Sequence, residues 1–205
     1  MAKTAGLRRG EVLNLTVDDV DFDHGVIHVQ PKKDTAYTWA WNVKDKERRM
    51  VPLVESLSDL LIRMLEALPA GQPYLTLTPQ RYRRLRMLKE AGTLSDRLRV
   101  CPDENFTKPF ERIVSRAGVK SGTFHDLRRT CITEWLESGL RPHEVMTLAG
   151  HSNIDTTMKY YVATRRELLD KARRASQSTL GPNSHLVTKS QTVIGVTVLR
   201  LNHRQ

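Results

Sequence analysis

The sequence predicts an α+β domain, mostly α-helical, with a small three-stranded antiparallel sheet near its N-terminus. Two patterns carry that expectation. Between residues 20 and 53, apolar and polar residues alternate in short runs separated by turn residues. Beyond residue 55, apolar residues recur at helical spacing between capping residues and Gly or Pro stops. Apolar residues make up 39% of the 205 positions, enough for one core beneath a heavily charged surface.

The elements follow in order. "LRRGEVLNL" places Leu7, Val12, Leu13 and Leu15 at roughly helical spacing, with no lead-in to a cap. The chain therefore reads as opening inside an element, as a piece of a longer, N-terminally truncated protein would. Asp23-His24-Gly25 is a turn, followed by a strand over Val26 to Val29. "AYTWAWNVK" and "RRMVPL" read as two further strands, with Lys44, Asp45 and Lys46 in the turn between them. "SLSDLLIRMLEALP" is an amphipathic helix capped by Ser56 or Ser58 and stopped by Pro69.

"TPQRYRRLRMLKEAG" is the next helix. It spreads Arg81, Arg83, Arg84, Arg86 and Lys89 over its surface, either as a solvated face or as phosphate contacts. "NFTKPFERIVSRAG" makes a helix ending at Gly118, and Thr123 with Asp126 forms a capping box for the one that follows. "LRPHEVMTLAG" is a short helix opened by Pro142 and closed by Gly150. The stretch from Ile154 to Ser176 is one helix or two in succession. From Ser176 the chain reads as linker, and "TVIGVTVLRL" could be a strand. The expected organisation is thus one domain over residues 1–175 and a tail over 176–205.

Charge narrows the function. Lys and Arg total 33 against 23 Asp and Glu, a net +10, so a polyanionic partner is expected. No apolar run approaches the roughly 18 residues of a membrane span, and the first residues lack a secretory signal. Cys101 and Cys131 supply neither a disulfide framework nor zinc spacing, which fits the cytoplasm. "LESGLRPHEVMTLAGH" has the look of a helix–turn–helix, so a non-catalytic DNA-binding module is one reading. A metal-dependent nuclease is disfavoured because no carboxylate–histidine cluster has ligand spacing, and no metal is expected.

Two tyrosines of the chain's five stand together at 160 and 161. Ile154, Met158 and Tyr161 fall at i, i+4 and i+7, an apolar face that assigns Tyr161 to the core. Tyr160 is turned about 100° away, beside Thr156 and Thr157, and is free to present its hydroxyl. A phenol with a pKa near ~10 is a poor nucleophile unless cations stabilise its anion, and cations are also what a phosphate needs. His125 and Arg128, three apart, share a helix face beside the stripe Leu127, Cys131 and Trp135.

Taken together, these residues resemble the catalytic domain of the tyrosine recombinases, the phage-integrase family, over about Thr4 to Ala163. The family's T-G-L-R-x-x-E is "TAGLRRGE" here, placing its first arginine at Arg8 and the acidic companion at Glu11. H-x-x-R is "HDLR", giving His125 and Arg128; L-G-H is "LAGH", giving His151 with an alanine in the Leu–Gly gap. The pattern G-H-x-x-x-x-T-T-x-x-Y puts the nucleophile on Tyr160. Counting back eight residues from Pro52 gives Lys44 as the family's turn lysine, with Lys46, Lys32 and Lys33 as alternatives in a segment longer than usual. Singly, Arg8 with Glu11 reads equally as a surface pair, His151 as a helix cap and Lys44 as a solvated turn lysine.

The resemblance implies a phosphodiester transesterification without cofactor. Tyr160 would attack, Arg8 and Arg128 would hold the non-bridging oxygens, and Glu11 would orient Arg8. His125 would take the tyrosyl proton, His151 would donate to the phosphate, and Lys44 would protonate the leaving 5′-oxygen. The implied partner is double-stranded DNA, held by a tetramer in the full-length protein. The chain by itself is expected to be a monomer with weak, salt-sensitive DNA binding.

Overall fold

The computed structural model describes residues 1–44 and 48–179. The chain divides into two compact units, residues 1–164 and 165–205. In the first, α1 (Ala2–Ala5) and α2 (Arg9–Leu13) precede a sheet of β1 (Val20–Asp21), β2 (Val26–Val29) and β3 (Arg49–Pro52). There follow α3 (Glu55–Glu66), α4 (Pro79–Glu90), α5 (Asp96–Val100), α6 (Thr107–Arg116), α7 (Phe124–Glu137) and α8 (Pro142–Ala149). The last helix, α9, runs Ile154–Thr179 and belongs to both units by sequence. Of the second unit, only its share of this helix is described.

The sheet has three antiparallel strands in the order β1-β2-β3, but not the three that alternation picked out. Val20 pairs with Ile27, and Ile27 with Val51. "AYTWAWNVK" stays outside the sheet apart from a single bridge between Lys32 and Trp41. Its alternation is genuine, since Trp39, Trp41 and Val43 are buried while Ala40 and Asn42 are exposed. What differs is where its backbone bonds go. The Trp39 amide donates to the Tyr74 hydroxyl (3.2 Å), and the Tyr82 hydroxyl and Lys89 ammonium donate to the carbonyls of Tyr37 and Thr38 (both 2.8 Å). Side chains of the helical half replace a strand partner.

Trp39 anchors the larger core. Its ring stacks on Tyr74 at 4.0 Å and 9°, and its Nε1 donates to Asn14 Oδ1 at 3.0 Å. Around it pack Leu7, Leu13, Ile27, Val51, Leu61 and Leu85. A smaller cluster joins α7 to α8 through Ile132, Leu136, Val145 and Ala149, with Tyr160 and Tyr161 partly buried against it.

Several helix starts follow local chemistry, and α3 departs from the expected cap. Thr78 caps α4, and Thr123 and Asp126 form the expected box on α7. α3 begins at Glu55 with Val54 as its N-cap, so Ser56 and Ser58 lie inside the first turn. Burial of Leu57 and Leu61 fixes that helix, and Glu55 favours the positive helix end. α9 continues past Ser176, where a linker was expected; the strand expected in "TVIGVTVLRL" lies outside the described residues. α5, capped by Ser95, was not anticipated because five residues give too short a period to read.

If the "AYTWAW" segment is core rather than an edge strand, Trp39→Ala should cost about 3–5 kcal/mol in urea unfolding. A loss below about 1 kcal/mol would place the segment outside the core.

Candidate active site

The site is built on the end of α8. A helix leaves its last carbonyls without intrahelical donors, and each must find a partner if buried. Here Gly150 takes the left-handed conformation (φ 65°), which lets the Gly150 and His151 amides fold back onto the Thr147 and Met146 carbonyls, both at 3.1 Å. The next three carbonyls go to three arginines. Arg49 Nε donates to Leu148 O (2.9 Å), Arg128 Nη2 to Ala149 O (2.7 Å), and Arg8 Nη2 to Gly150 O. Arg128 Nη1 also donates to Gly6 O, tying α7 to the turn after α1. A Cβ on Gly150 would stand 2.9 Å from Arg49 Nη1, so no side chain fits there without moving that guanidinium.

Glu11 balances the cluster. Its carboxylate accepts a two-pronged pair from Arg49 (2.9 and 2.7 Å), a bond from Arg8 Nη1 (3.1 Å) and the Arg8 amide (2.7 Å). Burial works to raise the Glu11 pKa, but the hydrogen bonds and charges of Arg49 and Arg8 outweigh it and hold the carboxyl below its ordinary range. Glu11 is thus ionised and orients Arg8. Arg128 is fully buried; burial, then the cations Arg8 and Arg49, lower its pKa to about 10, and it stays charged at neutral pH.

His151 follows this cap directly. Its Nδ1 lies 2.8 Å from the hydroxyl of buried Thr157, and its ring stacks on Tyr160 at 6.3 Å and 16°. Burial, then the charges of Arg128, Arg8 and Arg49, push its imidazole down to about 4, so it is neutral at pH 7. His125 stands exposed on the rim of a cleft of about 410 Å³, which Arg8, Arg128 and the ring edges of Phe106, Phe110 and Phe124 also line. Partial burial, then Arg128 and Arg129, lower the His125 pKa, leaving a neutral imidazole able to accept a proton. The Arg129 guanidinium lies 6.0 Å from the Tyr160 ring.

Arg8, Glu11, Arg128, His151 and Tyr160 thus come together from four separate helical regions. The two tyrosines separate by neighbours rather than burial. Both are half-buried, and Ile154, expected in the core with Tyr161, is exposed; the Tyr160 ring stacks on that of His151. Lys44 is exposed, and among the described residues no hydrogen bond or ion pair joins it to the cluster; Lys46 lies outside the described residues. Lys32 is occupied elsewhere, buried against Asp19 at 2.6 Å.

The basic helix α4 splits as well. Arg86 pairs with Glu90, Lys89 with Asp34, and Arg81 Nε donates to Pro102 O, whereas Arg83 and Arg84 are exposed. Arg49 is the residue sequence reasoning missed. Its one signal is register: in β3 it alternates in step with buried Val51, an inward position for a charge.

Comparison with known proteins places this arrangement. The model of the phage integrase family matches residues 1–167, and the chain belongs to that family. Among relatives, the tyrosine recombinase XerA of Thermococcus kodakarensis is 31% identical over 174 residues, covering 83% of this chain and 51% of the relative. A tyrosine recombinase XerC-like protein of Caldanaerobacter subterraneus is 32% identical over 178 residues, covering 78% and 43%. The chain spans about half the length of these curated relatives. Its fold matches the crystal structure of XerA recombinase with a TM-score of 0.60 at 22% identity, over 83% of this chain and 55% of that one. It also matches the Tn1549 transposon integrase in complex with a circular intermediate DNA, with a TM-score of 0.57 at 21% identity over 82% and 56%.

Two outcomes follow from the cluster. Arg49→Met should lose about 3–5 kcal/mol, because it strips the principal partner from a buried carboxylate; Arg49→Met with Glu11→Gln should recover part of that loss in urea unfolding. Stability should also fall as pH drops from 6.5 towards 4, since the unfolded His151 binds a proton that the folded one refuses until about pH 4. Below 4.5 the lowered Glu11 pKa adds a loss of the same sign. Urea midpoints at pH 7, 5.5, 4.5 and 3.5 measure both, and His151→Gln should flatten the upper part of the slope.

Proposed function

We propose that this chain cuts and rejoins DNA through a covalent 3′-phosphotyrosyl intermediate, as the catalytic part of a site-specific recombinase or integrase. The reading rests above all on one observation: Arg8, Arg128 and His151 are fixed to a single helix end, and Tyr160 stacks on that histidine. Family membership supports it.

Tyr160 attacks the scissile phosphorus, forming a P–Oη bond while the P–O5′ bond breaks. His125 takes the tyrosyl proton. Arg8 and Arg128 hold the non-bridging oxygens as charge builds, each such donor being worth about 3–4 kcal/mol of barrier. His151 donates to the same oxygens, and Lys44 gives its proton to the leaving 5′-oxygen. A 5′-hydroxyl of a partner strand then reverses the step on the phosphotyrosine, and the number of phosphodiester bonds is conserved without a nucleotide cofactor. Exposed Arg83 and Arg84 extend the basic surface to flanking phosphates. Exchange between two duplexes is assigned to a tetramer acting in the cytoplasm, the chain by itself being a monomer.

The non-catalytic helix–turn–helix reading accounts for the charge but leaves the arginine-bound end of α8 and its contact with Tyr160 without a purpose. Incubation with a nicked suicide duplex in excess chelator, followed by denaturing electrophoresis, separates the two. An adduct is expected for the wild type and for Tyr161→Phe and none for Tyr160→Phe, which should still bind DNA. An adduct peptide carrying DNA on Tyr161, or no adduct from any variant, would overturn the proposal.

A further inference from the structure

The hydroxyl of Thr157 leaves its own helix for a partner on the segment before it. Thr130 and Thr147 turn their hydroxyl protons onto the carbonyls four residues back, Asp126 O at 2.9 Å and His143 O at 3.0 Å. Thr157 lies one turn into α9 and is completely buried. Among the described residues its hydroxyl has one hydrogen-bond partner, His151 Nδ1 at 2.8 Å.

That geometry fixes where the proton goes. A buried O–H left without an acceptor is penalised, so the hydroxyl must donate to the lone pair on Nδ1. The reverse arrangement, with Nδ1–H donating to the threonine oxygen, strands the hydroxyl proton. A neutral imidazole carries a single N–H, so an accepting Nδ1 sends that proton to Nε2. Nε2 has no partner among the described residues, and it is not sealed from solvent. Burial, then the neighbouring charges, keep the ring neutral, so it does not gain a second proton that would erase the choice.

We propose that Thr157 is a positioning residue that locks His151 as the Nε2–H tautomer, so that this ring offers the site a proton donor and not an acceptor. The proposal deepens the phosphotyrosyl reading and rests on it for its consequence. As a donor, His151 can bond a non-bridging phosphate oxygen but cannot accept the Tyr160 proton, which leaves that step to His125. The division of labour between the two histidines is then set by one methyl-bearing hydroxyl outside both.

The test begins without DNA. Long-range proton–nitrogen correlations on histidine-labelled protein at pH 7 should show His151 with Nε2 protonated and Nδ1 bare. Thr157→Val keeps the shape and removes the hydroxyl, and should move the Nδ1 resonance toward that of a bare nitrogen with no hydrogen bond; Thr157→Ser should restore the wild-type pattern. In single-turnover cleavage of a suicide duplex, Thr157→Val should slow adduct formation about tenfold at unchanged DNA affinity, and Thr157→Ser should return it. An Nδ1–H ring in the wild type, or an Nδ1 resonance that ignores the Thr157→Val change, overturns the proposal. If the tautomer behaves as expected while the wild type forms no adduct, the recombinase reading fails and the threonine lock stands.

Discussion

The structure depends on the way one short helix ends. Five successive carbonyls, Met146 to Gly150, find donors, two from the chain folding back and three from guanidinium groups. Those groups come from α7, from β3 and from the residue before α2, far apart in sequence and adjacent only here. The negative end of a helix attracts cations, and directional bonds to carbonyl oxygens set the angle of each planar fork. An arginine tethered by some of its donors keeps the others in a fixed direction, which is what recognition of a tetrahedral anion requires.

Three cations close together repel, and the fold answers with one carboxylate. Glu11 takes its bonds from Arg49 and Arg8, while Arg128 is left with carbonyl partners and a depressed pKa. The positive charge is therefore only partly neutralised. Burial, with the residual field added to it, keeps both site histidines uncharged at neutral pH. Electrostatics here sorts the side chains into permanent cations and neutral proton carriers.

Much of this was legible in the sequence, for identifiable reasons. Helices with a full period and a capping residue, such as α4 and α7, announce themselves. Arg8, His125, Arg128, His151 and Tyr160 were named from short motifs that resemble a family's, and the structure sets Arg8, Arg128, His151 and Tyr160 about one helix end with His125 on the adjoining cleft. Arg49 escaped because its partners Glu11 and Leu148 lie 38 and 99 residues away, and only its register with Val51 distinguishes it from exposed Arg48 beside it. The Trp39 segment misled because alternation reports which side chains are buried, not which groups bond the backbone. Arg86 and Lys89 read as a binding face because composition cannot show that a carboxylate already holds them.

The shared helix end also governs when such a chain can be dangerous. If the proposed reading holds, the chain must not cut DNA while half made. No contiguous segment carries the arginine cluster: Arg8 and Arg49 lie early in the chain, and their acceptors at 148 and 150 emerge from the ribosome long after them. Tyr160 follows ten residues later still. A nascent or locally unfolded chain has the arginines without their anchor, and therefore no assembled blade. The carbonyls that steady the arginines serve in this way as a safety catch, released only by complete folding.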